Sequence, residues 1–278
     1  MPKIGTQNKL RIMRKTDHGL FLDGEDLGDI LLPKRYVPKT VNVDDEIEVF
    51  IFRDSEDRLC STTQTPYAEV DQFACLKVVS NTPVGSFLDW GMPKDLLVPF
   101  REQKIKMREG EFYVVRVYLD RVSKRLAATC KLDKFLDLTE PTYQEGEAVE
   151  LMICAKTDLG FKAIINDSHW GMIFHNEAFR PLKRGEKVEG FIKQSRADGK
   201  VDLCLQKPGY EKVTKLTDRI VQYLQANGGS APLTNKTDPA IIYDLFDVSK
   251  KTYKQAVGAL YKKRIIELFD GGIRLTKK

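Results

Sequence analysis

With 278 residues and 42% apolar content, the chain is too long for one small core and too apolar to be disordered, so roughly two to four modest domains are expected. Charged residues make up 31% of it and the formal net charge is +5, a mild basicity that admits a polyanionic partner without requiring one. The amino terminus lacks a signal-peptide core, no run approaches the roughly 20 apolar residues of a membrane span, and five scattered cysteines offer neither a zinc site nor a redox pair, so a soluble cytoplasmic protein away from any membrane is expected.

Read in chain order, one unit recurs three times: "DHGLFLDGEDLGDILLPKRYVPKTVNVDDEIEVFIFRDSEDRLCST", "PVGSFLDWGMPKDLLVPFREQKIKMREGEFYVVRVYLDRVSKRLAAT" and "DLGFKAIINDSHWGMIFHNEAFRPLKRGEKVEGFIKQSRADGKVDLCL". Gly19, Gly85 and Gly160 form one column, and Asp45-Glu46, Gly110-Glu111 and Gly185-Glu186 a second. Short apolar or alternating runs such as "EIEVFIF", "EFYVVRVYL" and "KVEGFIK" read as strands, and "DGED", "NDSHWG" and "RADGK" as turns. Four to five strands in such a length fit a small closed barrel, and a recurring glycine fits a strand that must bend sharply.

The second copy is the most basic, setting Arg101, Lys104, Lys106, Arg108, Arg116, Arg121, Lys124, Arg125 and Lys131 against four acids. Alternation places Arg116, Tyr118 and Asp120 on one strand face. That face suits either a nucleic-acid backbone or a charge-guarded edge strand. Trp90 and Trp170 lie in turn-like segments, where each either stacks on a base or plugs a barrel end. The acidic runs at Asp44 to Glu46 and Asp54 to Asp57 read as solvated loops.

After the Pro208-Gly209 break the texture becomes helical. "LTDRIVQYLQANGG" carries Leu216, Ile220, Tyr223 and Leu224 on one stripe and stops at Gly228-Gly229. Asp238 and Pro239 start a second helix. Ser249 caps a third, "SKKTYKQAVGALYKKR", with Tyr253, Val257 and Leu260 inward and Lys251, Lys254, Gln255, Gly258 and Lys262 outward. "RIIELFDGGIRLT" then forms a hairpin about Asp270-Gly271-Gly272. This order predicts a winged helix-turn-helix. Residues 212–278 hold thirteen basic and six acidic side chains, against 32 and 34 in the remainder, so the basicity is concentrated here. The outer face of the third helix is rich in lysine and poor in base-reading side chains, which favours phosphate contact over sequence readout.

The order of "GLF", "GSF" and "GMIFHNE" followed by "KRGEKVEGFI" resembles the S1 RNA-binding domain, an OB-fold barrel. That resemblance implies an aromatic and histidine platform on which bases stack; its columns hold His18 and Phe21 in copy one, Val84 and Phe87 in copy two, Leu159 and Lys162 in copy three, and Pro33, Pro99 and His175 in the histidine column, so no copy keeps the whole platform. Phe21 and Phe87 suit the barrel core as well as a platform. Three such barrels followed by a winged helix resemble the conserved virulence factor B family of bacteria, from about Leu10 to Thr276.

The expected fold is therefore mainly β with a C-terminal α+β domain: three tandem OB-fold, S1-like five-stranded barrels at 1–65, 66–140 and 141–209, then a winged helix-turn-helix at 212–278. The family resemblance implies an RNA-binding protein that regulates expression of other genes, virulence genes in pathogens. The expected partner is single-stranded RNA, held by His18, Phe21, Phe87, Arg116, Tyr118, Arg125, Lys162, His175, Lys250, Lys251, Lys254, Lys262 and Lys263. A DNA-binding regulator and a protein-binding adaptor are the alternatives. No P-loop, dinucleotide fingerprint or zinc-protease motif occurs, so neither catalysis, a metal nor a cofactor is expected.

Overall fold

In β4 (Glu46–Arg53) the alternation seen in the sequence becomes two faces, with Ile47, Val49 and Ile51 buried and Glu46 and Glu48 exposed. The same logic generates β1 (Gln7–Thr16), β2 (Gly19–Asp23), β3 (Asp29–Pro33) and β5 (Leu59–Thr62) around it. The computed structural model describes residues 1–54, 56–178, 180–206, 211–234 and 236–276, the side chains of 211–215 excepted. The expected break at Pro208-Gly209 lies outside the described residues. The chain divides into two compact units, Met1–Leu136 and Asp137–Lys278.

The first unit holds two barrels. Barrel 1 closes in the order β1-β2-β3-β5-β4, with β3 and β5 parallel. Barrel 2 comprises β6 (Phe73–Thr82), β7 (Gly85–Asp89), β8 (Leu96–Pro99), β9 (Phe112–Leu119) and β10 (Leu126–Thr129), in the order β10-β9-β6-β7-β8. Its edge strands β8 and β10 adjoin without a ladder among the described residues, so it is nearly closed rather than closed. Phe50 of barrel 1 is built into the core of barrel 2 beside Trp90, with ring centroids 5.7 Å apart and edge to face.

The second unit holds barrel 3, with β11 (Ala148–Lys156), β12 (Gly160–Ile165), β13 (His169–Phe174), β14 (Lys187–Ser195) and β15 (Val201–Cys204) closing in the order β11-β12-β13-β15-β14. A winged helix follows: α1 (Glu211–Ala226), β16 (Ser230–Ala231), α2 (Pro239–Phe246), α3 (Lys250–Lys262), β17 (Ile266–Phe269) and β18 (Gly272–Leu275). The Asp238 side chain caps α2 by accepting from the Ala240 N–H, and Ser249 caps α3 by accepting from the Thr252 N–H. Tyr253, Val257 and Leu260 are buried as expected, with Tyr253 stacked on Phe246 at 5.6 Å. The two-residue strand β16, which pairs with β18, has no counterpart in the sequence reading.

The glycine column has a sharper cause than a bend. Gly19, Gly85 and Gly160 take φ of 144°, 153° and 155°, and a Cβ on each would lie 2.1, 2.2 and 2.0 Å from the carbonyl oxygen of Leu32, Val98 and Ile173 respectively. The facing strand passes too close for any side chain. Each long first strand also carries a register shift at the same place, between Ile12 and Arg14, Val78 and Ser80, and Ile153 and Ala155. Such bulges add the twist that a small barrel needs.

The register corrects three sequence readings, and burial decides between the two alternatives for Trp90. The second column is one residue off in copy one: Asp44, at φ 75°, stands where Gly110 and Gly185 take 80° and 81°, because all three must turn with positive φ. Gly19 pairs with Pro33, Gly85 with Pro99 and Gly160 with Phe174, so Phe174 fills the column assigned to His175. Trp170 is not in a turn but in β13, paired with Ile164. Trp90 does not present a stacking face: it is 5% exposed and its Nε1 donates to the Lys94 carbonyl at 2.6 Å, so it plugs barrel 2.

Candidate nucleic-acid interface

On β7 the two-residue period sends Ser86 and Leu88 inward and leaves Phe87 half-buried on the outer face. On β9 it buries Val117 and turns Tyr118 outward. Phe87 and Tyr118 together line a cleft of about 640 Å³, with Val84 and Pro99 beside them and Lys94, Arg101 and Arg125 as its cations. Barrel 1 supplies Phe52, Arg53 and Asp54 to the same cleft.

Burial, then the nearby Glu102 and Asp120 carboxylates, push the Tyr118 hydroxyl above its ordinary range, while Arg101 hydrogen-bonds to it and pulls the other way. The ring therefore stays a neutral π surface at physiological pH. Arg101 is 73% exposed, 3.6 Å from Asp120, and Arg125 Nε donates to Asp57 at 2.7 Å. Two aromatic rings in one cleft with arginine and lysine can stack on bases and neutralise phosphates at once.

Asp54 supports the cleft wall. Burial alone would raise its carboxyl, but hydrogen bonds from the Arg58 side chain and from the backbone of Glu56 and Arg58 bring it down to about 2. Its stabilising effect is complete above the unfolded carboxylate value of about 4 and is lost as pH falls through its folded value. Asp54→Asn is expected to lower Tm at neutral pH, with the gap from wild type closing near pH 2, read by thermal melts across the acid range.

Arg116 shares the strand with Tyr118 but is not available in the same way. Its guanidinium pairs with Asp71 at 2.9 Å, donates to the Asp71 carbonyl at 3.2 Å and lies 4.1 Å over the Phe135 ring, leaving its side chain 17% exposed. Arg116→Ala is expected to cost about 1 kcal/mol of stability, mainly because it uncovers the Phe135 ring, since the exposed Asp71 carboxylate regains water. Urea unfolding would measure it.

The corresponding faces of the other barrels are occupied from within. In barrel 1, Arg14 lies 4.2 Å over Phe21 and is held by Asp29 at 2.6 Å, and His18 is exposed in the turn before β2. In barrel 3, Lys162 stands in the column of Phe21 and Phe87, with its ammonium 3.6 Å over Trp170. His175 is exposed, edge-on to Phe161 at 5.7 Å. Arg196 approaches Phe174 at 5.7 Å and pairs with Asp202 at 2.7 Å.

On α3, Lys251, Lys254, Gln255, Gly258 and Lys262 are exposed, as are Lys263 just beyond it, Arg264 and Tyr261, while Lys250 is half-buried. A Cβ on Gly258 would meet nothing within 4 Å, so that side of the helix is open to close approach. The structure thus brings Phe87, Tyr118 and Arg125 into one cleft and the lysines onto one helix. It adds Lys94, Arg101, Phe52 and Arg53, which the sequence reading did not single out as site residues. Aligning the hairpins "FRDSEDR" and "YLDRVSKR" would have placed Phe52 in the Tyr118 column.

Other groups have structural partners. His169 is buried, with Nδ1 at 2.9 Å from the Tyr143 hydroxyl and Nε2 at 2.9 Å from the Thr139 carbonyl. Burial pushes the Cys130 thiol up to about 11, away from a reactive thiolate. Among the described residues no three His, Cys, Asp or Glu side chains cluster as metal ligands, and no helix is long and apolar enough to cross a membrane.

A family model described as an S1 domain matches residues 4–64, and one described as a CvfB-like winged helix domain matches 218–275. The chain is 28% identical to the YitL protein of Bacillus subtilis over 274 residues, covering 93% of this chain and 89% of that one. It is 26% identical to conserved virulence factor B of Staphylococcus aureus over 252 residues, covering 86% and 84%. A crystal structure of a multidomain protein with nucleic acid binding domains from Streptococcus pneumoniae aligns over 98% of both chains with 22% identity and a TM-score of 0.43. The chain thus carries an S1 domain and a CvfB-like winged helix domain, and along most of its length it is similar to YitL and to conserved virulence factor B.

Proposed function

We propose that the chain binds single-stranded RNA with low sequence specificity and through it modulates the expression of other genes. The observation that carries this reading is the cleft of barrel 2, where Phe87 and Tyr118 lie among Lys94, Arg101 and Arg125. Unstacked bases have π faces that such a pair accepts regardless of sequence, whereas a duplex keeps its bases stacked on one another. The lysine face of α3 adds a second grip on phosphate. Linked domains raise the local concentration of each for the same strand, so weak sites combine into useful affinity. The regulatory part draws on the names of the Staphylococcus relatives, which are virulence factors.

Filter binding of single-stranded RNA and duplex DNA at several salt concentrations tests the reading. Affinity for the single strand is expected to exceed that for the duplex, and three to four neutralised phosphates would give a slope of log K against log salt of about −2 to −3. Equal or better duplex affinity would favour a DNA-binding regulator acting through α3. No retention of either polymer at low salt would favour an adaptor for proteins.

A further inference from the structure

Beside the cleft of barrel 2 lies a second hollow of about 300 Å³ in the same compact unit. Barrel 1 contributes Arg35, Tyr36 and Arg58 to it, and the loop after β7 contributes Met92 and Lys94. The two hollows have Phe52, Asp54, Trp90 and Lys94 in common, so they adjoin along these four residues. We infer that they form one continuous path for a single RNA strand, running from Phe87 and Tyr118 on barrel 2, past Lys94 and Phe52, to Tyr36 and Arg35 on barrel 1. The inference rests on the RNA-binding reading and extends it to a composite site that neither barrel holds alone.

Three observations support the path. The barrels are fixed to one another: Phe50 sits in the core of barrel 2, Arg125 pairs with Asp57 at 2.7 Å, and the Val70 N–H donates to the Gly5 carbonyl at 2.8 Å. A strand therefore meets a preformed groove and need not order two tethered domains. Barrel 1 also keeps its own Phe21 covered by Arg14, while Tyr36 lies at the other end of the shared groove. Finally, the charge matches a polyanion: Arg35, Arg53, Arg58, Lys94, Arg101 and Arg125 line the path against Asp54, Asp95 and Asp120. The Arg35 guanidinium lies 4.7 Å over the Tyr36 ring, offering a cation and a π face at one point.

A path across two barrels makes affinity depend on oligonucleotide length beyond one barrel's footprint, which is about four nucleotides at the small end for this type of fold. Fluorescence anisotropy of the full chain with oligouridylates of about 4, 8 and 12 nucleotides would show this dependence. The double change Arg35→Ala with Tyr36→Ala is expected to weaken the longer strands about tenfold, the order of one lost stacking contact, and to leave the shortest unchanged. Because Tyr36 is half-buried, Arg35→Glu alone serves as a second probe that spares packing, with loss again confined to longer strands. If both variants bind every length as wild type does, the path ends at barrel 2 and the composite site is wrong while RNA binding stands. If wild type binds no length at low salt, the RNA-binding reading itself fails, and the path with it.

Discussion

Replacing Phe87 and Tyr118 together by alanine is expected to lower single-stranded RNA affinity by about a hundredfold or more. Stacking on an aromatic side chain contributes about 1–3 kcal/mol per base, and about 1.4 kcal/mol is a factor of ten. Both rings stand on the outer face of the barrel 2 strands, opposite the inward Leu88 and Val117, so their removal empties the cleft without opening the core. Anisotropy titrations would read the affinity and thermal melts the fold. A core role for these rings would show the reverse pattern, a large fall in Tm with the affinity of the folded fraction retained.

Gly160→Ala is expected to have the largest effect on stability, a loss of about 2–5 kcal/mol from positive-φ strain and overpacking combined. A domain typically has only about 5–15 kcal/mol in hand. The new Cβ would lie 2.0 Å from the Ile173 carbonyl oxygen and 2.8 Å from the Phe174 Cα, both backbone atoms that no rotamer change can move. Gly110→Ala is the matched comparison: its φ is also positive, at 80°, but a Cβ there meets nothing within 4 Å. Only the conformational strain of about 1–2 kcal/mol then applies. Urea unfolding of the two variants should separate them clearly. Equal losses would mean that the strand approach is softer than the carbonyl contact implies.

What could be read from the sequence was whatever local chemistry dictates. The glycine column, the Asp238 and Ser249 caps and the inward Tyr253, Val257 and Leu260 all follow from backbone preference or helical period, and each stands where it was expected. What escaped depended on partners far away in the chain. The histidine of the resembled motif pointed to His175, but strand pairing gives the column to Phe174, which follows its glycine at the same spacing as Pro33 and Pro99 follow theirs. Arg116 appeared free for RNA. Its clamp comes from Asp71 and Phe135, residues on either side of barrel 2's strands. Phe52 and Lys94 belong to different repeats and share a cleft only because barrel 1 is fused to barrel 2 through Phe50 and Trp90.

The central claim is that RNA lies in the barrel 2 cleft, and photocrosslinking of a 4-thiouridine oligonucleotide to the full chain, followed by peptide mapping, tests it most directly. Adducts are expected on the peptides carrying Phe87, Lys94 and Tyr118, with weaker ones on α3. Adducts confined to α3 or to barrel 3, with none on those peptides, would contradict it.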